Sequence, residues 1–255
     1  MSANKNSIKI IGARPELNAQ GCFVYDSKKS GAITVSHLRF GPGAIHSTYL
    51  IEKDSASFVA CHQPQFLDSV DMLSYAAPGA VFLINTPTRP EDLWEALPPG
   101  VQERARAKSL SLFCIDAYQV AAEAQLGKRI NTIMQTCFFA IAGILPVDEA
   151  IEAVKDGVRK SYGRRGRRIV ERNFRAIDAA LKGLYEVPVG KIRAGAAQDA
   201  DAEAQAADGF VDRVTRRIMA GKGDLIPVSA LPEDGTFPVG TAALEKRNLA
   251  LEIPV

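Results

Sequence analysis

Ala80-Val81-Phe82-Leu83-Ile84 decides the fold class. An unbroken apolar run of this length, without polar alternation, reads as a strand covered on both faces. Working outward, the same kind of run recurs as Phe58-Val59-Ala60-Cys61 on one side and Leu110-Ser111-Leu112-Phe113-Cys114-Ile115 on the other. Between them, residues 65–75 place Phe66, Leu67, Val70 and Leu73 at helical spacing, and residues 93–108 are helical with an interruption at Pro98-Pro99-Gly100. Asp116 opens a further helix through residue 125. Short apolar strands alternating with amphipathic helices imply a mostly parallel sheet with helices on both faces, so the class is α/β.

Two flanking regions depart from this rhythm. Between Phe23 and Ile51, Gly21, Gly31 and Gly41-Pro42-Gly43 separate three short extended runs with no room for crossover helices, which predicts a hairpin-like β excursion. After Gly143 the pattern is helical over 148–162 and 165–185, where Ile169, Phe174, Ile177, Leu181 and Leu184 form a packing stripe. Residues 190–208 are rich in Ala, Gln and Asp, which predicts a linker and a boundary near Pro188. A short helix is expected over 210–220, followed by an irregular tail with too few core positions to fold alone.

The chain has 255 residues, 47% of them hydrophobic and 24% charged, enough for one large or two modest globular domains. Its formal net charge of +2 supplies no global field for nucleic acid. No window reaches the ~18 apolar residues of a membrane span, so a cytoplasmic protein is expected. Cys22, Cys61, Cys114 and Cys137 lack paired spacing, and His37, His46 and His62 do not complete a set, so no metal site is expected here. Nucleophile-elbow, paired-His and Gly-x-Gly-x-x-Gly motifs are also missing, so redox or acyl chemistry by this chain unaided is not expected.

Anion binding is carried by local elements. In Tyr25-Asp26-Ser27-Lys28-Lys29-Ser30-Gly31, two ammonium groups stand at a glycine-bearing turn that feeds a β-branched run. Alone, such a pair is more often a solvated loop. A second element is Lys128-Arg129-Ile130-Asn131-Thr132, where Thr132 and Gln135 have capping-box spacing and predict a helix N-terminus beside two cations. Two such elements in one α/β chain point to a phosphorylated, nucleotide-like ligand. Arg164-Arg165-Gly166-Arg167-Arg168 is a third basic cluster, either a solvated helix start or a docking face for an acidic partner.

The segments Ala3-Asn4-Lys5-Asn6-Ser7-Ile8-Lys9, Asp26-Ser27-Lys28-Lys29-Ser30-Gly31, Val35-Ser36-His37-Leu38-Arg39-Phe40-Gly41, Arg129-Ile130-Asn131-Thr132-Ile133-Met134-Gln135-Thr136 and Leu145-Pro146 resemble the gamma domain of pyruvate:ferredoxin (flavodoxin) oxidoreductase. The resemblance runs from residue 2 to about 187 and resumes through Asp234-Gly235-Thr236-Phe237-Pro238 and Glu245-Lys246-Arg247-Asn248. It implies a Rossmann-like gamma-type domain over 1–187, a linker over 188–208 and a connector over 209–255 that packs on other domains.

That family decarboxylates pyruvate oxidatively on thiamine diphosphate with Mg, passes electrons through [4Fe–4S] clusters to ferredoxin or flavodoxin, and transfers the acetyl group to coenzyme A. Only coenzyme A is implied for this chain. The resemblance names that ligand, whose 3′-phosphate and diphosphate suit Lys28, Lys29 and Arg129, then Asn131, with Asn4 and Lys5 lining the same site from the first helix. It assigns no catalytic residue. The remaining cofactors belong to other domains or partner chains, and neither nucleic acid nor membrane is an implied partner. In the family a strand and a Gly-rich turn precede the segment at Ala3, where this sequence has Met1. The expectation is a component of a split or truncated enzyme whose sheet leaves a strand edge or slot open. Alternatives are a non-catalytic structural remnant and a gamma component for another 2-oxoacid.

Overall fold

The structure, a computed structural model, describes residues 2–25, 33–46, 49–68, 70–191, 209–219, 222–240 and 244. Among them, four strands form the central sheet: β3 (Ala56–Cys61), β4 (Ala76–Asn85), β5 (Ser111–Ile115) and β6 (Tyr185–Val187), in that order. β3, β4 and β5 are parallel, and β6 runs antiparallel to β5, pairing Leu112 with Val187 and Cys114 with Tyr185.

The pleat sends alternate residues into two apolar layers. Phe82, Ile84, Leu112 and Cys114 pack against Leu93, Trp94, Leu97 and Ala105 of α2 (Pro90–Ala96), the residue that follows it, and α3 (Pro99–Ala107). Leu83 and Ile115 face the other way, onto α4 (Ala117–Glu123), α5 (Asn131–Ile141) and α7 (Arg167–Lys182). A third cluster, centred on Ile11, Phe139, Val154 and Ile177, joins α1 (Ser2–Gly12), α5, α6 (Val147–Tyr162) and α7. The hairpin β1 (Asn18–Tyr25) and β2 (Thr34–Gly41) is a separate antiparallel ladder that rests on α1.

The expected α/β class, the hairpin excursion and the helix over 148–162 are present, whereas the helix expected over 165–185 runs from Arg167 to Lys182, with Tyr185 already in β6. Four local expectations change. Residues 65–75 form two 3-10 turns, Pro64–Leu67 and Met72–Ser74, because the chain here must fall back quickly onto the head of β4. The third extended run, residues 44–51, makes no strand among its described residues. β6 was not anticipated: three residues after α7 suffice to close the sheet edge, and only Val187 of them is buried. In the stripe on α7, Ile177 is buried but Leu181 is exposed, and the tightest contacts fall to Ala176, Ala180 and Asn173. Beyond Gly209, the π-helical turn Val211–Thr215 leads into α8 (Arg216–Met219), followed by short 3-10 turns as far as Ala230. The expected linker lies, from residue 192 to 208, outside the described residues.

Candidate functional site

Three elements determine the geometry of the site, and small residues set how they pack. α1 lies along β1 in the opposite direction: Gly12 meets Ala19, Ile8 fills the space over Gly21, and Lys5 Nζ sits 5.6 Å from the centre of the Phe23 ring. A Cβ on Gly21 would stand 2.1 Å from Ile8 Cδ1, so the absence of a side chain there lets helix and hairpin touch. Since the hairpin ladder runs from Asn18↔Gly41 to Tyr25↔Thr34, the end that its loop closes lies toward the N-terminus of α1. Lys28 and Lys29, in the loop that joins those strand ends, fall outside the described residues.

α5 runs in the same direction as α1. Gln135, 6% exposed, donates through Nε2 to Ser7 Oγ at 3.0 Å and accepts from Asn6 Nδ2 at 3.3 Å. One turn further on, Ile10 and Ile11 share a core with Phe138 and Phe139. The first turns of α1 and α5 therefore stand at one end of the molecule, bringing Asn4 and Lys5 to the same end as Arg129 and Asn131. Lys128, Arg129 and Asn131 are solvent-facing, whereas Ile130 is buried and anchors the start of the helix.

The capping box does not form. α5 begins at Asn131, the capping position is Ile130, and no side chain caps it. Thr132 Oγ1 donates instead to Asn173 Oδ1 of α7, and Gln135 is committed to α1. Thr-x-x-Gln spacing is equally satisfied by two residues that each reach a neighbouring helix. Beyond a polar residue inside an apolar run, no sequence signal marks Ser7 or this use of Gln135.

A groove of about 850 Å³ opens beside these helices, lined by Asn4, Ser7, Met134, Gln135 and Phe138, by residues 33–41 of the hairpin, and by residues 55–63 around β3. At the carboxyl ends of the parallel strands, Asn85 ties three strands together: its Nδ2 donates to His62 O and its Oδ1 accepts from Ala117 N, both at 2.9 Å. Gln63 Nε2 donates to Tyr118 Oη at 2.6 Å in the same region.

Burial holds the His62 imidazole below its ordinary pKa. For His37 burial does the same, reinforced by the Arg39 charge, and its Nδ1 accepts from Ile51 N at 3.1 Å. Both rings are neutral at pH 7, leaving the basic side chains as the cations available to an anion. Burial also pushes the Cys61 and Cys114 thiols up to about 11 and Cys137 to about 12, so none is a ready nucleophile at neutral pH. Among the described residues no group of three or more His, Cys, Asp or Glu is placed to hold a metal ion, and no helix is long and apolar enough to cross a membrane.

Residues 1–183 match the family described as pyruvate ferredoxin/flavodoxin oxidoreductase, and residues 197–250 match a domain of unknown function. The chain is 51% identical over 253 residues to a pyruvate-flavodoxin oxidoreductase of Rhodospirillum rubrum, covering 99% of this chain and 21% of that protein. It is 46% identical to the pyruvate:ferredoxin oxidoreductase of Moorella thermoacetica, covering 100% of this chain and 22% of that one. The chain thus spans about a fifth of the length of these relatives. Among solved structures, pyruvate oxidoreductase subunit PORC of Thermotoga maritima matches with a TM-score of 0.55 at 15% identity, over 73% of this chain and 90% of that one, a likeness of fold.

Proposed function

The chain belongs to the pyruvate ferredoxin/flavodoxin oxidoreductase family, and we propose that it contributes coenzyme A binding to a cytoplasmic enzyme that oxidises pyruvate to acetyl-CoA and reduces ferredoxin or flavodoxin. The observation that supports this is the convergence at one end of the molecule of the α1 N-terminus, the α5 N-terminus and the Tyr25–Thr34 end of the β1–β2 hairpin, from which its loop springs. Coenzyme A carries a 3′-phosphate and a diphosphate. Lys28 and Lys29 on the hairpin loop, with Arg129 before α5, supply the opposite charge. Asn131, Asn4 and Lys5 add hydrogen-bond donors, and the helix N-termini add positive potential.

The role is positional. Fixing the adenosine and diphosphate end restricts where the thiol can travel, which converts an encounter with the acyl donor into an oriented reaction. Thiamine diphosphate and the iron–sulfur clusters, held by other domains or subunits, would supply the decarboxylation and electron transfer. Residues 209–255 would make contacts with those domains.

Calorimetric titration of the chain with coenzyme A and with dephospho-coenzyme A tests this reading. The Lys28→Ala/Lys29→Ala double variant is expected to lose about tenfold or more in affinity for coenzyme A and much less for the dephospho form. Equal affinity of wild type and variant removes the lysines from the site. No binding of coenzyme A, even with the remaining domains supplied, would favour a structural role.

A further inference from the structure

The corner between α6 and α7 is the most densely charged part of the chain: six of the ten residues 159–168 are Lys or Arg. No Asp or Glu stands between Asp156 and Glu171. Arg167, its side chain 93% exposed, pairs with Glu171 at 2.8 Å, whereas Lys160, Arg164 and Arg168 are exposed with no carboxylate partner among the described residues. Cations at the start of α7 face the positive end of its dipole, so the helix itself gives this cluster no reason to exist.

The packing of the helices places the corner. α6 runs opposite to α1: Arg14 meets Glu149 at 2.7 Å, and Asn6 Nδ2 lies 2.8 Å from the point where a Cβ on Gly157 would stand. α7 runs opposite to α6, with Lys155 3.2 Å from Asp178 and the Arg159 guanidinium 4.9 Å from the centre of the Phe174 ring. α7 is therefore parallel to α1 and α5, and Asn173, the partner of Thr132, lies level with the first turn of α5. Arg168 precedes Asn173 by five residues, which at 1.5 Å per residue carries it roughly 7–8 Å past that level. The corner is thus a rim standing over the end where Asn4, Lys5, Arg129 and Asn131 meet. The segments that build this end, residues 1–15, 124–147 and 157–170, contain no Asp or Glu, while Asp148 and Glu149 sit at the far end, where α6 begins. With 31 Lys and Arg against 29 Asp and Glu overall, positive charge is segregated to one end rather than in excess.

We infer that Arg164 and Arg168 form a steering rim for the phosphates of coenzyme A, raising the rate at which the ligand finds the site without holding it once bound. The inference rests on the coenzyme A binding proposed above and adds residues outside the set that binds. Charges of one sign gathered at one end draw in an approaching polyanion, and they act over about a Debye length, ~10 Å at 0.1 M salt, comparable to the height of the rim. Exposed guanidinium groups gain little from a close ion pair, because water screens it and the side chain loses freedom. Their contribution therefore falls on approach, and retention falls to the residues below.

Stopped-flow mixing of the full chain with fluorescent etheno-coenzyme A separates the two rates. Arg164→Gln/Arg168→Gln should lower kon about three- to tenfold at about 20 mM salt, leave koff within about twofold, and lose most of its effect at about 0.5 M salt. Arg168→Glu in place of Gln should lower kon further, and etheno-dephospho-coenzyme A, with fewer charges, should be slowed less. Because these cations oppose the dipole of α7, the double variant should melt no lower than wild type, which separates a rate effect from misfolding. If wild type binds and the variant's kon is unchanged, the steering rim is overturned and the coenzyme A site stands. A raised koff with kon intact would overturn the rim too, since the arginines would then be holding the bound ligand, and so would a kon deficit undiminished at high salt. Failure of wild type to bind etheno-coenzyme A would overturn the site and the rim together.

Discussion

Lys108 carries more of the fold than its charge suggests. Its ammonium group donates to Leu73 O and Ala76 O at 2.7 Å and lies 2.6 Å from Asp54 Oδ1, with a longer contact to Ser74 O at 3.4 Å. It therefore pins the turn before β4 to the end of α3. Lys108→Met keeps most of the stem but strips the donors from carbonyls that are partly buried, and should cost about 2–3 kcal/mol in urea unfolding. A loss under about 0.5 kcal/mol would mean that water replaces the ammonium group without penalty. The hydrogen bond from Lys108, and then its charge, hold the Asp54 carboxyl below the usual carboxylate range. Because the folded state lowers this pKa, the Asp54 contribution is fully present above the usual value near 3.8 and is lost as pH falls through the lower folded value. The deficit of Lys108→Met should therefore stay constant from about pH 5 to 9 and shrink only in strong acid. No sequence pattern marked this lysine, since its partners apart from Asp54 are main-chain carbonyls, which carry no residue signature, and Asp54 lies 54 positions away.

Among the elements, the short β6 and the segment after it depend on a close approach that a glycine permits. Trp94 of α2, 4% exposed, donates through Nε1 to Lys191 O at 2.9 Å. A Cβ on Gly190 would fall 2.7 Å from Trp94 Cδ1 and 2.8 Å from Nε1, and a rigid buried indole cannot yield as a flexible chain end would. Gly190→Ala should destabilise by about 1–3 kcal/mol and change the emission of the only tryptophan. Gly100 in α3 is the control: nothing lies within 4 Å of its added Cβ, so Gly100→Ala should be neutral or slightly stabilising. Equal behaviour of the two variants would remove the packing argument. The longer elements were legible in the sequence because β4 and β5 are nearly continuous apolar runs and α6 and α7 repeat the helical period over many residues. β6 was not, because three residues whose pairing is decided by a strand 71–75 positions earlier contain no period. The capping box failed for a related reason: Thr132 and Gln135 have the right local spacing, but Asn173 and Ser7 compete for them from distant helices. The candidate site was legible as charge and spacing, while the placement of its parts at one end depended on Gly21 and Gln135, whose roles appear only in packing.

At the scale of the whole molecule, an open strand edge and weak charge repulsion favour association between copies. The β3 edge borders an apolar groove, and Tyr25, Tyr49, Leu50, Leu225, Val228, Phe237 and Val239 are large apolar residues exposed at the surface. Val228 is 84% and Val239 99% exposed, so both side chains are almost fully solvated. A net charge of +2 on 255 residues supplies little opposing repulsion near neutral pH. Sedimentation velocity over a concentration series should therefore show association of the isolated chain, increasing as added salt screens what repulsion there is. Two surfaces could drive it, and they separate experimentally. If the β3 edge is the route, Ser57→Lys, a charge placed on that edge strand, should return the chain toward monomer. If the exposed side chains of residues 225–239 are the route, replacing Val228 and Val239 with Lys should do so, and Ser57→Lys should not. A monodisperse monomer with a single cooperative thermal transition at every concentration would show that neither surface is exposed enough to pair.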